Sequence, residues 1–125
     1  MSGLSETEAW ARAHAWVAAW NARDLDAVME HYADDVRVCS PLVAQRLGHA
    51  DGVLLGAKAL RAYLARGMDN PALHFRLEDV RVGLNAMTVL YTRENRMRVA
   101  DTLELGPDLK ATRMTACYAG GAPDV

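Results

Sequence analysis

A single carboxylate lies on the otherwise apolar face of a predicted strand near the C-terminal end of the chain. Residues 96–105 read RMRVADTLEL. Because successive side chains of a strand point to opposite faces of a sheet, Asp101 shares its face with four apolar residues, Met97, Val99, Leu103 and Leu105. A buried carboxylate costs several kcal/mol unless it is paired, hydrogen-bonded or protonated. Two interpretations stay open: an Asp satisfied structurally by a bulge, a hydroxyl or a backbone amide, or an acid that lines a cavity.

Length and composition predict one ordinary globular domain over residues 1–125. The chain is 51% hydrophobic and 24% charged, and its formal net charge of −2 gives no electrostatic reason to expect a nucleic acid or a membrane as partner. No apolar run approaches the roughly 20 residues of a membrane-spanning helix, and the N-terminus lacks the basic and apolar regions of a secretory signal. We therefore expect a cytoplasmic protein.

Cysteine usage and short motifs give no indication of a metal or a cofactor. Cys39 and Cys117 each lie in an apolar, strand-like run and have no partner at metal-ligand spacing. We expect both to be small, buried, reduced side chains. The chain also lacks HExxH, GxxxxGK[ST] and GxGxxG motifs. We therefore expect no cofactor.

The elements that must position Asp101 are helices first and strands afterwards. A capping box from Ser5 to Glu8 opens the first helix, and Gly67 is the expected C-terminal cap of the third. Helices are predicted over residues 5–22, 25–32 and 57–66, strands over 36–40, 53–55, 74–82, 87–93, 96–105 and 110–118, a loop over 42–52, a bulge near 78–79 and a frayed tail over 120–125. This order predicts an α+β fold in which three N-terminal helices pack on one face of a curved, mainly antiparallel sheet.

The same order, together with several motifs, resembles the NTF2-like superfamily, in its SnoaL-like and ketosteroid-isomerase-like branch. The motifs are WNARDLD at 20–26, HYADDV at 31–36, SP at 40–41, GAKAL at 56–60 and MTACY at 114–118. Together they extend over nearly the whole chain, from about residue 5 to residue 119. The resemblance implies a cone-shaped α+β barrel, whose wide end side chains fill only partly and where a small ligand binds.

The resemblance also implies roles for individual residues. Ketosteroid isomerases place a general-base Asp directly before the proline that closes the first strand, where this chain has Ser40. Their oxyanion-hole Tyr corresponds to Trp16, their protonated Asp to Asp101, and the supporting Tyr to Tyr32, while Cys117 replaces a His of many relatives. A serine is no base near neutral pH without activation, and an indole cannot exchange a proton as a phenol can. Ketosteroid isomerase activity itself is therefore not expected, and Asp101 and Tyr32 are the catalytic candidates.

Three functions stay open. The first is an enzyme in which Asp101 performs acid/base chemistry of the isomerase, cyclase or hydratase type on a small, hydrophobic, carbonyl-bearing molecule. The second is a non-catalytic protein that binds a small apolar ligand, and the third is a dimeric interaction module whose pocket is vestigial. A second titratable group beside Asp101 would favour the enzyme. The expected ligand-binding residues are Trp16, Trp20, Val38, Ser40, Tyr63, Met97, Val99, Leu103 and Met114.

Two further expectations concern the surroundings of Asp101 and the assembly. We expect Asp101 to face the cone interior, with Tyr32 or Trp16 as its first hydrogen-bond donor and with a raised pKa, because desolvation disfavours the anion. Relatives commonly dimerise through the outer face of the sheet, where this chain places Arg, Thr and Ala. The resemblance therefore implies a homodimer.

Overall fold

Within residues 3–120, which the computed structural model describes, four helices and two strands come before four consecutive strands of eight residues each. The first half contains α1 (Glu6–Asn21), α2 (Leu25–Met29), β1 (Tyr32–Cys39), α3 (Pro41–Leu47), β2 (Val53–Leu55) and α4 (Ala57–Met68). The second half contains β3 (Phe75–Val82), β4 (Ala86–Arg93), β5 (Arg98–Leu105) and β6 (Ala111–Tyr118). The predicted α+β fold is confirmed, and the predicted tail lies outside the described residues except for its first member, Gly120.

The six strands form one sheet in the order β2-β1-β6-β5-β4-β3. All neighbouring pairs are antiparallel except β1 and β6, which are parallel. The pairing of β3 with β4 shifts register between Leu77 and Asp79, where the sequence predicts a bulge. A bulge bends its strand and increases the local twist, so this shift contributes to the curvature that makes one sheet face concave.

Helix α1 packs on β3, and α4 packs on β1. Ser5 and Glu8 form the predicted capping box at the start of α1. The buried side of that helix carries small residues as well as Trp16, Val17 and Trp20, so its aromatic rings face the concave side of the sheet. The core therefore lies between the helices and this inner sheet face.

The predicted loop at 42–52 is wrong in its first half, because residues Pro41–Leu47 form α3. Ser40 caps the helix, since its side chain accepts a hydrogen bond from the Leu42 amide, and Pro41 occupies the first turn. Gly48 ends it in the left-handed conformation, at φ 70°. The proline that closes β1 thus also opens a helix, which is a favourable position for proline. The described chain therefore has four helices instead of the three predicted.

The boundaries of α2, β1 and α4 also differ from the predictions. Helix α2 ends at Met29, and Tyr32 already begins β1. Helix α4 continues to Met68, so Gly67 lies inside it and Asp69 is the C-cap. A Cβ built on Gly67 would meet only the ring of Trp20, at 3.7 Å. This glycine therefore brings the α4 backbone close to an α1 indole.

The two cysteines are less buried than expected. Cys39 is half-buried and Cys117 is exposed. Cys117 alternates with the buried Ala116 on β6, so its side chain lies on the outer face of the sheet. The apolar run around Cys117 reflects two differently exposed strand faces, which explains why the prediction of a buried thiol is wrong there.

Asn21 connects the end of α1 to the start of β3. Its side-chain amide donates to the Phe75 carbonyl at 2.9 Å, and its side-chain oxygen accepts from the Phe75 amide at 2.8 Å. Two residues later, Arg23 adopts a left-handed conformation at φ 57°, and Asp24 caps α2. The segment that turns the chain between the helices therefore also fixes the first residue of the third strand.

Candidate active site

The concave side of the sheet and the helices enclose a cavity with about 70 Å³ of free space. One water needs about 10–15 Å³ of such free space, so the cavity has room for roughly five waters. Drug-sized ligand pockets measure roughly 300–1,000 Å³, so the enclosed space suits only a small molecule or one end of a larger molecule. Asp101 is one of its lining residues.

Most of the residues predicted for the site line this cavity. Of the predicted set, the lining includes Trp16, Trp20, Tyr32, Val38, Ser40, Tyr63, Asp101 and Met114. Met97, Val99 and Leu103 do not line it. Val99 lies directly opposite Tyr91 on β4, and Tyr91 reaches the cavity instead. Leu103 lines a separate space of about 20 Å³, and Met97 precedes β5 as a half-buried residue.

Asp101 lies near the middle of β5 with 3% of its surface exposed. It is paired with Val89 on β4 and Ala116 on β6. The Tyr91 hydroxyl donates a hydrogen bond to Asp101 Oδ2 at 2.9 Å. The other carboxyl oxygen, Oδ1, is buried and has no hydrogen-bond partner among the described residues. One oxygen is therefore anchored, and the other is available to a ligand.

Burial dominates the acidity of Asp101. Desolvation raises its pKa from 3.8 to about 7, against the lowering effects of the Tyr91 hydrogen bond and of the positive charge of Arg93. The raised pKa agrees with the expectation from the strand pattern. Near neutral pH, this carboxyl group is therefore present in both protonation states in comparable amounts, as a group that both gives and takes protons requires.

The hydrogen-bond donor to Asp101 is Tyr91 rather than the expected Tyr32 or Trp16. Those two bind each other, because Trp16 Nε1 donates to the Tyr32 hydroxyl at 3.0 Å. The Tyr32 hydroxyl in turn donates to Met114 Sδ at 3.7 Å. The reason is the strand order: β6 separates β1, which carries Tyr32, from β5, whereas β4 is adjacent to β5. The catalytic role predicted for Tyr32 stays a prediction.

Tyr91 is held in place by packing within a wall of four aromatic side chains, of which it is one. Their ring centroids lie 4.6–5.8 Å apart for Phe75–Tyr91, Trp20–Phe75, Trp16–Tyr91 and Trp16–Phe75. We call Trp16, Trp20, Phe75 and Tyr91 the aromatic wall. Offset and edge-to-face contacts at such distances are favourable arrangements of aromatic rings. The wall fixes the ring from which the hydroxyl reaches Asp101.

Several other polar groups that sequence reasoning missed lie in the lining. Tyr118 has its pKa raised to about 12, chiefly by burial, and lies beside the Arg93 guanidinium. Burial also raises the pKa of Tyr91 well above 10, so both phenols remain protonated donors at neutral pH. The Arg93 side chain is 11% exposed and lies over the Phe75 ring, 5.4 Å from its centroid. The cavity therefore has polar groups at more than one point of an otherwise apolar lining.

Two buried donors in the lining have no hydrogen-bond partner among the described residues. They are Trp20 Nε1 and Arg93 Nε. An unsatisfied buried polar group costs about 1–3 kcal/mol. The cavity lining thus contains two hydrogen-bond donors and one acceptor, Asp101 Oδ1, that have no partner among the described residues. Such a lining is suited to a ligand with polar groups.

Ser40, at the position of the general base of ketosteroid isomerases, is only 6% exposed and lines the cavity. Its hydroxyl accepts from the Leu42 amide at 3.2 Å, which is a capping contact for α3. No histidine is found among the cavity-lining residues in the described part of the chain. The usual base of that reaction therefore has no replacement at this point of the site.

Across residues 3–120, no group of three or more His, Cys, Asp and Glu side chains is arranged to hold a metal ion. None of the helices in this range has the length and apolar character required to cross a bilayer.

Comparison with known proteins gives a family for this geometry. A sequence profile described as the SnoaL-like domain matches residues 13–118. A SnoaL-like protein of unknown function from Burkholderia thailandensis is 30% identical, with a TM-score of 0.91 over 95% of this chain and 100% of that chain. No curated protein sequence matches the chain significantly.

More distant structures share the fold alone. An NTF2-like protein of unknown function from Burkholderia xenovorans is 21% identical, with a TM-score of 0.74 over 98% of this chain and 90% of that chain. The epoxide hydrolase/cyclase-like enzyme SalBIII, which has a role in pyran ring formation in the polyether salinomycin, is 18% identical. Its TM-score is 0.71 over 93% of this chain and 94% of that chain.

The hydrogen bond from Tyr91 makes a prediction about the acidity of Asp101. Tyr91→Phe removes a donor that stabilises the carboxylate, so the pKa of Asp101 should rise by about one unit above its wild-type value. Carbon NMR of the Asp side-chain carboxyls across a pH titration measures this shift, with Asp101→Asn as the assignment control. In Tyr32→Phe the pKa of Asp101 should change little, and equal shifts in the two variants would contradict the assigned partner.

The raised pKa also makes folding stability depend on pH. Because the folded protein holds the Asp101 proton more tightly than the unfolded chain, the free energy of unfolding falls as pH rises from about 4 to about 7 and then levels off. Asp101→Asn removes this titration. Urea denaturation measures the free energy of unfolding of both proteins at about pH 5 and about pH 8. The value for the variant minus the value for wild type should be about 3 kcal/mol larger at the higher pH. A stability difference that is the same at both pH values would contradict the shift.

Proposed function

The chain belongs to the SnoaL-like domain family of the NTF2-like superfamily, and on that basis we propose that its cavity is the active site of an enzyme that transfers protons on a small carbonyl-bearing molecule. The family includes proteins of different activity on one scaffold, so the proposal depends on the side chains of the site. The observation that carries it is the state of Asp101, whose Oδ2 is anchored by Tyr91 while the buried Oδ1 has no partner among the described residues.

The chemistry follows from the two states of this carboxyl group. As carboxylate, Oδ1 takes a proton from the carbon next to a substrate carbonyl. The electron pair of that C–H bond forms a C=C bond to the carbonyl carbon, and the π pair of the carbonyl moves onto its oxygen to give an enolate. As carboxylic acid, the same group returns the proton to carbon. With a pKa of about 7, Asp101 performs both steps near neutral pH at comparable cost. The role of Tyr91 is to hold Oδ2, because its own pKa is too high for proton exchange.

The negative charge that develops on the substrate oxygen needs a donor. Trp20 Nε1 is a buried N–H without a partner among the described residues, and Trp20 lines the cavity. Preorganised donors in a site that excludes water stabilise such an oxyanion strongly. We assign this role to Trp20, which the sequence comparison with ketosteroid isomerases does not indicate.

The walls and the size of the cavity define the substrate class. The lining includes Val38, Leu60, Leu64 and Met114 beside the aromatic wall, so the reacting part of the substrate is apolar apart from its oxygen. With about 70 Å³ of enclosed space, a single ring is the largest group we expect to enter. SalBIII shares this fold at 18% identity, and a proton-transferring acid of this kind is also suited to isomerase or cyclase chemistry.

Proton exchange on a small ketone tests the proposal. Cyclohexanone in heavy water should lose its protons next to the carbonyl faster with the enzyme than in buffer, as followed by proton NMR. Asp101→Asn keeps the volume of the side chain but cannot take a proton, so the enzymatic rate should fall by roughly a hundredfold or more. Asp35→Asn, at an exposed position on β1, is the matched control and should exchange like wild type.

Binding is measured in parallel by the fluorescence of the tryptophans in the cavity wall. Wild-type exchange that survives in Asp101→Asn would overturn the role of Asp101. Cyclohexanone binding without any enzymatic exchange in wild type would support the alternative, a non-catalytic protein that binds small hydrophobic ligands.

We also propose that the protein is a homodimer that associates through the outer sheet face. On this face a shallow groove is lined by Leu90, Ala100 and Cys117 on three adjacent strands, and Thr88 and Thr102 share a hydrogen bond of 2.9 Å. Small, apolar and hydroxyl-bearing side chains in the middle of the face favour contact between two copies of one sheet, and Arg76, Glu78 and Arg98 line the same groove with charges of both signs. A free, exposed thiol at Cys117 is also consistent with a reducing, cytoplasmic location.

Sedimentation equilibrium tests the assembly. At micromolar concentration the wild-type protein should have the mass of two chains, whereas Ala100→Arg, which adds a charge to the middle of the outer face, should have the mass of one. Asp35→Asn should remain dimeric. A wild-type mass of one chain would contradict the homodimer.

A further inference from the structure

The cavity opens into a second space of about 260 Å³ that is rich in arginine. The two spaces share Arg46, Tyr63, Gly67 and Arg93 as lining residues, and the outer one adds Arg66. We call this outer space the mouth. Its three arginines come from α3, α4 and the end of β4, so the fold brings together charges that are far apart in sequence.

The positive charge of the mouth is not balanced by nearby carboxylates. Arg46 and Arg66 are exposed, and neither lies within 4 Å of a carboxylate in residues 3–120. Arg93 Nε lies 3.7 Å from Glu94 Oε1, and this nitrogen is buried without a hydrogen-bond partner in the same part of the chain. Among the described residues, the three guanidinium groups therefore have a single carboxylate, that of Glu94, within 4 Å, and one of their N–H donors is buried without a partner.

The state of Tyr63 shows that the three arginines act on one point. Burial raises the pKa of the Tyr63 phenol, and the charges of Arg46, Arg93 and Arg66 each oppose that rise. Arg46 also lies beside the Tyr63 hydroxyl. Tyr63, Arg46 and Arg93 line both spaces, so the three positive charges act where the mouth meets the inner cavity.

We infer that the substrate of the proposed reaction carries an oxyanion group, a carboxylate or a phosphate, which binds Arg46, Arg66 and Arg93 in the mouth while its apolar, carbonyl-bearing end enters the cavity beside Asp101. This inference rests on the proposed function, since it assigns a second anchor to the same substrate. A guanidinium presents its donors in a planar fork that matches carboxylate and phosphate oxygens. The division of the site into an apolar inner part and a cationic outer part gives the substrate one orientation.

A matched pair of ligands tests the inference. The 4-oxocyclohexanecarboxylate anion and its methyl ester share the ketone ring and differ in charge, and their binding is followed by the fluorescence of the cavity tryptophans. Wild type should bind the anion about tenfold or more tightly than the ester, and salt should reduce this preference because two of the arginines are exposed. Acetate and inorganic phosphate as competitors distinguish the two oxyanions, since the matching anion displaces the ligand at lower concentration.

Variants locate the preference. Arg46→Gln combined with Arg66→Gln should reduce the preference for the anion severalfold or more, with little effect on ester binding, because both positions are exposed and leave the core unchanged. Arg61→Gln, on the same helix as Arg66 but outside the mouth, is the control and should keep the wild-type preference. Two wild-type results would overturn the inference: equal binding of anion and ester, or no binding of the anion. An unchanged preference for the anion in the double variant would also overturn it.

The two proposals can fail separately. The binding preference is measured without turnover, so it does not depend on whether Asp101 is catalytic. Cyclohexanone has no anionic group, so the exchange of its protons by the wild-type protein does not depend on the arginines of the mouth. Exchange without an anion preference would therefore leave the proposed function intact and remove only the anion site.

Discussion

The candidate site depends on one hydrogen bond, that from the Tyr91 hydroxyl to the buried carboxyl of Asp101. Tyr91 can make it only because its ring is held in the aromatic wall, and the wall requires both α1, which carries Trp16 and Trp20, and the start of β3, which carries Phe75. Asn21 connects these two elements by a pair of hydrogen bonds to the Phe75 backbone. The protonation state of an acid on β5 is thus linked, through packing, to the turn that ends the first helix.

The same acid is a cost to folding and a resource for chemistry. Below about pH 7 the neutral carboxyl is the favoured form in this position, because most of its surroundings are apolar and one hydrogen bond reaches one oxygen. Arg93 and Tyr91 reduce the cost of the charged form but do not remove it. Such a compromise is typical of functional sites, where groups with shifted pKa values concentrate. A purely structural Asp would be expected to have both oxygens satisfied.

Sequence reasoning predicted the elements and the inward direction of Asp101, because alternation along a strand and capping residues at a helix are local signals. It missed Tyr91 and Arg93, although both lie on a correctly predicted strand. Their place beside Asp101 depends on the register between β4 and β5, which pairs Tyr91 with Val99 and which a strand pattern alone does not specify. It missed α3 because seven residues are too few to show a helical period, and it placed Tyr32 beside Asp101 without knowing that β6 lies between their strands.

Gly67 lies where the mouth and the inner cavity meet, and it lines both. Its helical backbone accepts any ordinary residue, and a Cβ there would meet only the edge of the Trp20 ring at a normal contact distance. Side chains of increasing size at this position would narrow the passage step by step while Asp101, Tyr91 and the arginines keep their places. Gly67 is thus the helical position at which the size of a side chain would set the width of the entrance, in contact with the Trp20 ring.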